Sequence, residues 1–128
     1  MSFDWSVVWQ HRDALAAATW TTILLTVTTM AIALPCGMVV AVLRMYAWRP
    51  LRVLATVYVE LFRNLPLILV VFWAFYVLPI LTGLGLSPLA TGLAALSLNV
   101  TAYNAETFRA GINSLRRGQS GVKPSPSR

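Results

Sequence analysis

Two long stretches without a charged residue constrain this chain more than any other feature. They cover residues 14–43 and 64–105, and a helix that crosses a membrane needs about 20 mostly apolar residues. Together they have room for three such helices. Only 11% of the residues are charged, well below the roughly 25% of soluble domains. We therefore predict an all-α integral membrane protein whose three transmembrane helices lie at about residues 19–43, 52–81 and 89–108.

The basic residues predict how the chain is oriented. Arg44, Arg49 and Arg52 lie in the short connector after the first uncharged stretch, and cytoplasmic connectors of membrane proteins are enriched in arginine and lysine. We therefore expect the N-terminus outside and, after three spans, the C-terminus in the cytoplasm. These flanks explain the net charge of +6, so no nucleic-acid partner is expected. The first stretch is too long for a cleaved signal peptide, which predicts a retained helix.

The first span carries small and hydroxyl-bearing residues at spacings of three and four. Such a face lets membrane helices approach closely and form hydrogen bonds with each other. The predicted packing residues are Thr22, Thr26, Ala33, Gly37 and Ala41. The alternative is that the threonine hydroxyls bond only to their own helix. Pro35 lies within this span and is expected to bend it.

A charged pair stands at the start of the second uncharged stretch. Glu60 and Arg63 are three residues apart, so on a helix they share a face and can pair. Pro66 is expected to break or kink the helix just beyond them. Charged groups at membrane depth usually face a protein interior or a water-filled path, and broken helices recur in transporters. The alternative is an arginine that extends to the lipid headgroups.

The third span carries a polar face near its cytoplasmic end. Asn99, Tyr103 and Glu106 follow at i, i+4 and i+7, so they lie on one side of a helix. They either line a path for a solute or form hydrogen bonds between helices, and spacing alone leaves both open. Glu106 and Arg109 are expected to pair within the helix. The candidate path residues are Glu60, Arg63, Asn99, Tyr103 and Glu106.

No constellation for catalysis is visible in the sequence. We find no phosphate-cradling loop, no nucleophile with a base and no cluster of metal ligands. The chain is therefore predicted to be no enzyme, with no catalytic residue, no metal and no cofactor of its own. Residues 121–128 are rich in proline, serine and basic residues, which predicts a disordered basic tail.

Two separated segments carry a resemblance to a known family. Residues 58–66 (YVELFRNLP), residues 102–112 (AYNAETFRAGI) and then Arg117-Gly118-Gln119 resemble the permease subunits of ABC importers for polar amino acids. The opening residues 3–6 (FDWS) and the phrase over residues 72–79 are most similar to the glutamate/aspartate branch. The resemblance covers residues 1 to about 120.

This resemblance implies an assembly in the bacterial inner membrane, with the chain as a multi-pass protein in contact with lipid. The implied partners are a second permease subunit (as a homo- or heterodimer), two ATPase subunits that use the ATP, and a periplasmic amino-acid-binding protein. Residues 1–120 would be the N-terminal part of a five-helix transmembrane domain. Arg117, Gly118 and Gln119 would start the loop that couples to the ATPase. Beyond residue 120 the chain departs from the family pattern, so we expect a permease truncated before its coupling helix.

Two functions remain from the sequence. The first is a permease subunit, or its N-terminal fragment, which forms part of the path for a polar amino acid; the branch similarity narrows this to an acidic one. The second is a small three-span accessory protein that binds a membrane complex without transporting solute. The permease motifs favour the first, and the departure after residue 120 favours the second.

Overall fold

The computed structural model describes residues 4–120 of the chain and the side chains of residues 4–118. These residues form helices and contain no strand, as the predicted all-α class requires. The five helices are α1 (Trp5–Gln10), α2 (Arg12–Tyr46), α3 (Arg49–Asn64), α4 (Leu67–Thr82) and α5 (Pro88–Ser120). The predicted tail, residues 121–128, lies outside the described residues.

Proline and glycine mark several of the helix ends. Pro50 lies in the first turn of α3, where its missing N–H costs nothing because that group has no partner inside the helix. Pro66 precedes α4, and α4 ends at Gly83, whose φ of 69° is the left-handed conformation that closes helices. Pro35 does not end α2, which continues through it.

The predicted span over residues 52–81 is interrupted, as the break expected at Pro66 implied. The structure divides it into α3 and α4, which are bent by 106° at the two residues between them. The cause is Pro66: it lacks an N–H and disfavours a helical conformation at Leu65, whose ψ of 132° is extended. The break was predicted at this proline, but its angle was not.

The third predicted helix is longer than expected. Its predicted range ended at residue 108, whereas α5 continues to Ser120. Residues 109–120 contain no proline, and most of their side chains are compatible with a helix. Arg117, Gly118 and Gln119 therefore lie in the last turn of α5 rather than in a loop.

The core forms where α2 crosses α5. Ala33, Gly37 and Ala41, which we call the small-residue face, are buried there. A Cβ added at Gly37 would lie 2.6 Å from the Cβ of Asn104, so only glycine permits this approach. Thr22 and Thr26 belong to the predicted packing set but are exposed, and their hydroxyls donate to carbonyls of α2 itself.

The membrane spans are only partly defined by the helices. By length and apolar composition, α2 is the one described helix that can cross a membrane by itself, and the bent α3–α4 pair qualifies only when its two helices are taken together. The predicted third span and the predicted orientation stay predictions.

Helix α4 also packs against α5. Val70 and Ala74 of α4 form a buried cluster with Ala95 of α5.

Candidate functional site

Four charged side chains from three helices meet near the end of the small-residue face. Glu106 of α5 accepts hydrogen bonds from Arg44 of α2 and from Arg109 one turn later on α5, each 2.5 Å from a carboxylate oxygen. Arg63, at the end of α3, places a guanidinium nitrogen 3.8 Å from Oε2 of the same carboxylate. We call this group the Glu106 cluster. One carboxylate thus faces three guanidinium groups, so the cluster has a formal charge of +2.

Arg44 is the most deeply buried member of the cluster. Its side chain is 8% exposed, and its Nε lies 3.4 Å from Oγ1 of Thr56 on α3. A guanidinium in this position needs a counter-charge, because leaving a buried charge unpaired is costly. Arg44 therefore connects α2, α3 and α5 through polar contacts.

The pair that spacing allows between Glu60 and Arg63 does not form. Among the residues that the structure describes, Glu60 forms no ion pair and is exposed, whereas Arg63 lies beside Glu106. Arg63 lies near the more buried of the two carboxylates, that of Glu106, because α5 passes beside the end of α3. The predicted pair of Glu106 with Arg109 is confirmed.

Two candidate path residues bond to the broken end of α3. The amide Nδ2 of Asn99 donates to the carbonyl oxygen of Phe62 at 3.1 Å, and the hydroxyl of Tyr103 donates to the carbonyl oxygen of Arg63 at 3.3 Å. The last carbonyls of a helix have no partner inside it. Pro66 cannot supply one to the Phe62 carbonyl, because proline has no N–H. The alternative role predicted for this polar face, hydrogen bonding between helices, matches these contacts.

The structure separates one candidate path residue from the other four. Arg63, Tyr103 and Glu106 lie together, with the Arg63 guanidinium 6.0 Å from the centre of the Tyr103 ring. Asn99 is buried one turn before Tyr103. Glu60 does not join them.

Sequence reasoning missed Arg44 and Tyr58 as members of this region. Arg44 continues the spacing of Gly37 and Ala41, so extending the small-residue face by one step would have placed it against α5. The hydroxyl of Tyr58 donates to the carbonyl oxygen of Leu98 at 2.6 Å, a further hydrogen bond between α3 and α5. No pattern along the chain predicts that contact, because its partner is a backbone atom of another helix.

The described residues offer no site for a metal. Within the ranges that the structure covers, no three histidine, cysteine, aspartate or glutamate side chains lie close enough to share an ion. The cluster is instead suited to anions, since three guanidinium groups surround one carboxylate.

Comparison with known proteins now decides the family. Residues 33–120 match the family described as the binding-protein-dependent transport system inner membrane component. The chain belongs to this family. It is a family of membrane components of transport systems, which confirms the prediction that the chain is not an enzyme.

Three relatives illustrate the range of the family. The glutamate/aspartate import permease protein GltK of Escherichia coli O6:H1 is 36% identical over 125 residues, covering 92% of this chain and 56% of GltK. The probable glutamine ABC transporter permease protein GlnM of Bacillus subtilis is 41% identical over 98 residues, 77% of this chain and 45% of GlnM. The arginine transport system permease protein ArtQ of Bacillus subtilis is 31% identical over 119 residues, 93% of this chain and 54% of ArtQ.

A solved structure shares the fold. A chain from the crystal structure of an amino acid ABC transporter with histidines superposes with a TM-score of 0.84 at 25% identity, over 97% of this chain and 60% of that chain. The chain spans about half the length of the relatives it matches. Since those relatives are named for acidic, neutral and basic amino acids, the comparisons do not distinguish the glutamate/aspartate branch.

Proposed function

We propose that the chain is a permease subunit, or the N-terminal part of one, in an ATP-driven amino-acid importer of the bacterial inner membrane. Family membership and the amino-acid permeases among the relatives support the general role. In this proposal the chain crosses the membrane three times, with its N-terminus outside. ATP is used by two partner ATPase subunits, and the chain itself binds no cofactor.

The Glu106 cluster is the observation that carries the proposed mechanism. The Glu106 carboxylate already accepts three hydrogen bonds from Arg44 and Arg109, and at 3.8 Å Arg63 is beyond hydrogen-bonding distance. The Arg63 side chain is 41% exposed. Its guanidinium therefore retains donors that a carboxylate can accept in bidentate geometry.

The substrate class follows from this surplus of positive charge. Every α-amino acid carries a carboxylate, and an acidic one carries a second, so the cluster with its charge of +2 favours an acidic amino acid. Arg63, Tyr103 and Glu106 would border the path, with Asn99 supporting α3 from behind. Glu60, exposed on α3, would face the water at the mouth of the path.

The remaining partners follow from the general role. A second permease subunit would complete the path, and a periplasmic binding protein would deliver the amino acid. The end of α5 at Arg117, Gly118 and Gln119 would transmit motion to the ATPase subunits. These assignments rest on family membership.

Reconstitution into proteoliposomes tests the proposal. The chain would be combined with its partner ATPase and binding protein, and ATP hydrolysis stimulated by the loaded binding protein would be measured. We expect Arg63→Gln to reduce stimulated hydrolysis at least tenfold. The control Arg12→Gln, at an exposed pair with Asp13 near the N-terminus, should leave it unchanged.

Two outcomes would contradict the proposal. If the chain co-purifies with membrane proteins but never supports stimulated hydrolysis, it is an accessory protein. If hydrolysis is supported and Arg63→Gln has no effect, the chain is a permease but the cluster does not contact the substrate. Competition of uptake by glutamate, glutamine and arginine would then identify the amino acid.

A further inference from the structure

The two α3 carbonyls held by α5 differ in one chemical respect. In a continuous helix, the carbonyl of residue i accepts from the N–H of residue i+4. For Phe62 that donor would come from Pro66, which has no N–H, so its carbonyl lacks a helical partner at any bend angle. For Arg63 the donor would be the N–H of Leu67, which exists but is separated from it by the break between α3 and α4.

The side chains of α5 supply the two missing donors. Asn99, 5% exposed, serves the Phe62 carbonyl, and Tyr103, 47% exposed, serves the Arg63 carbonyl. Because Asn99 is buried, water cannot take the place of its amide on the Phe62 carbonyl. The Asn99 contact is thus required in every conformation, whereas the Tyr103 contact has a backbone substitute as soon as α3 and α4 align.

We propose that the joint between α3 and α4 is a hinge in which Asn99 is the permanent contact and Tyr103 the exchangeable one. When the joint straightens, the Leu67 N–H replaces the Tyr103 hydroxyl on the Arg63 carbonyl. The Arg63 carbonyl then turns away from Tyr103 while Phe62 stays on Asn99, and the Arg63 guanidinium changes its distance from Glu106. Hinge motion therefore switches the charge environment of Arg63. The statement that this motion serves transport rests on the proposed function, whereas the existence of the hinge does not.

Distances between spin labels on the two helices measure the bend. Leu54 on α3 and Ile80 on α4 are 66% and 82% exposed, and Cys36, the single cysteine, would first be changed to alanine. With a rise of about 1.5 Å per residue and the bend of 106°, the labelled positions lie roughly 24 Å apart in the bent form and roughly 39 Å apart in a straight one. Pulsed electron paramagnetic resonance resolves these two populations in lipid nanodiscs.

Removing the exchangeable contact should favour the straight form. Tyr103→Phe keeps the ring and loses only the hydroxyl donor. We expect the ratio of the straight population (long distance) to the bent population (short distance) to rise about fivefold, which corresponds to the loss of one neutral hydrogen bond. Tyr58→Phe is the matched control. It also removes a hydroxyl that bonds a carbonyl across α3 and α5, but the Leu98 carbonyl lies inside α5 and keeps its helical partner. Its distance distribution should not change.

The permanent contact is tested by restoring the missing N–H. Asn99→Leu should broaden the distance distribution and lower the yield of folded protein at least tenfold. In the Pro66→Ala background residue 66 donates to Phe62, so the long distance should dominate and Asn99→Leu should cost less than threefold.

Three results would overturn the inference. These are an unchanged distribution in Tyr103→Phe, an equal shift in Tyr58→Phe, and a loss on Asn99→Leu that Pro66→Ala does not reduce. None of these measurements requires transport. A working hinge in a chain without transport activity would therefore refute the proposed function and leave this inference standing.

Discussion

Replacing Glu106 by glutamine tests whether the Glu106 cluster holds the three helices together. The substitution keeps the size of the side chain and one oxygen acceptor but removes the single negative charge. Arg44, whose side chain is 8% exposed, would then lie among two other arginines without a counter-charge. The other two can turn toward water, since Arg63 is 41% and Arg109 is 37% exposed.

The expected loss of stability in Glu106→Gln follows from the burial of Arg44, which is deeper than that of Arg63 and Arg109. Removing one partner of a buried ion pair typically costs about 3–5 kcal/mol. The Glu106 side chain is 20% exposed, so we expect the lower end, about 3 kcal/mol, which lowers the folding equilibrium constant by about two decades. Arg109→Gln removes an exposed pair within one helix and should cost only about 0.5 kcal/mol.

Unfolding of the purified chain in mixed micelles measures both values. The chain would be titrated with sodium dodecyl sulfate in a non-ionic detergent, and loss of helix would be followed by circular dichroism. We expect the midpoint of Glu106→Gln to fall well below that of Arg109→Gln. Combining Glu106→Gln with Arg44→Met should cost less than the sum of the single changes, because the second change removes the unpaired charge.

The result that refutes this reasoning is equal destabilisation by Glu106→Gln and Arg109→Gln. Strict additivity of Glu106→Gln and Arg44→Met would also refute it. Either outcome would mean that water or lipid headgroups compensate Arg44 as well as the carboxylate does. The Glu106 cluster would then not be what holds the three helices together.

Three further substitutions can be measured in the same titration, two on the buried face of α2 and one at an open position of α5. Gly37→Ala would place a methyl group 2.6 Å from the Asn104 Cβ, so it should cost about 1–3 kcal/mol. Gly111→Ala, with open space around the new Cβ, should be neutral or stabilise α5 by up to about 1 kcal/mol. The Thr29 hydroxyl is buried without a partner among the described residues, so Thr29→Val should be neutral or stabilising. If Thr29→Val lowers the stability by more than about 1 kcal/mol, the hydroxyl has a hydrogen-bond partner outside the described residues.

The helices could be predicted from the sequence because their signals are local. Uncharged stretches, the spacing of Ala33, Gly37 and Ala41, and the proline at position 66 each act within a few residues. The 106° bend is not local: Pro66 permits many angles, and contacts of α3 with α5 select one. The predicted third span ends at residue 108 because apolar length defines a membrane span, whereas α5 continues through polar residues to Ser120.

The candidate site was predicted in its residue types but not in its pairing. Spacing along one helix correctly paired Glu106 with Arg109, its neighbour after one turn. The same rule paired Arg63 with Glu60, although Arg63 lies beside Glu106. Spacing within one helix cannot pair Arg44 with Glu106, because 62 residues separate them in the chain.

The position of Arg44 shows why packing and charge cannot be separated in this chain. Gly37 lies two turns before Arg44 on α2, and its closest neighbour, Asn104, lies two residues before Glu106 on α5. The close approach at Gly37 therefore sets how far the Arg44 guanidinium must extend to the Glu106 carboxylate. With that carboxylate saturated by Arg44 and Arg109, Arg63 keeps its donors free. A methyl group at Gly37 should thus change the environment of Arg63 on a third helix, although the two residues do not touch.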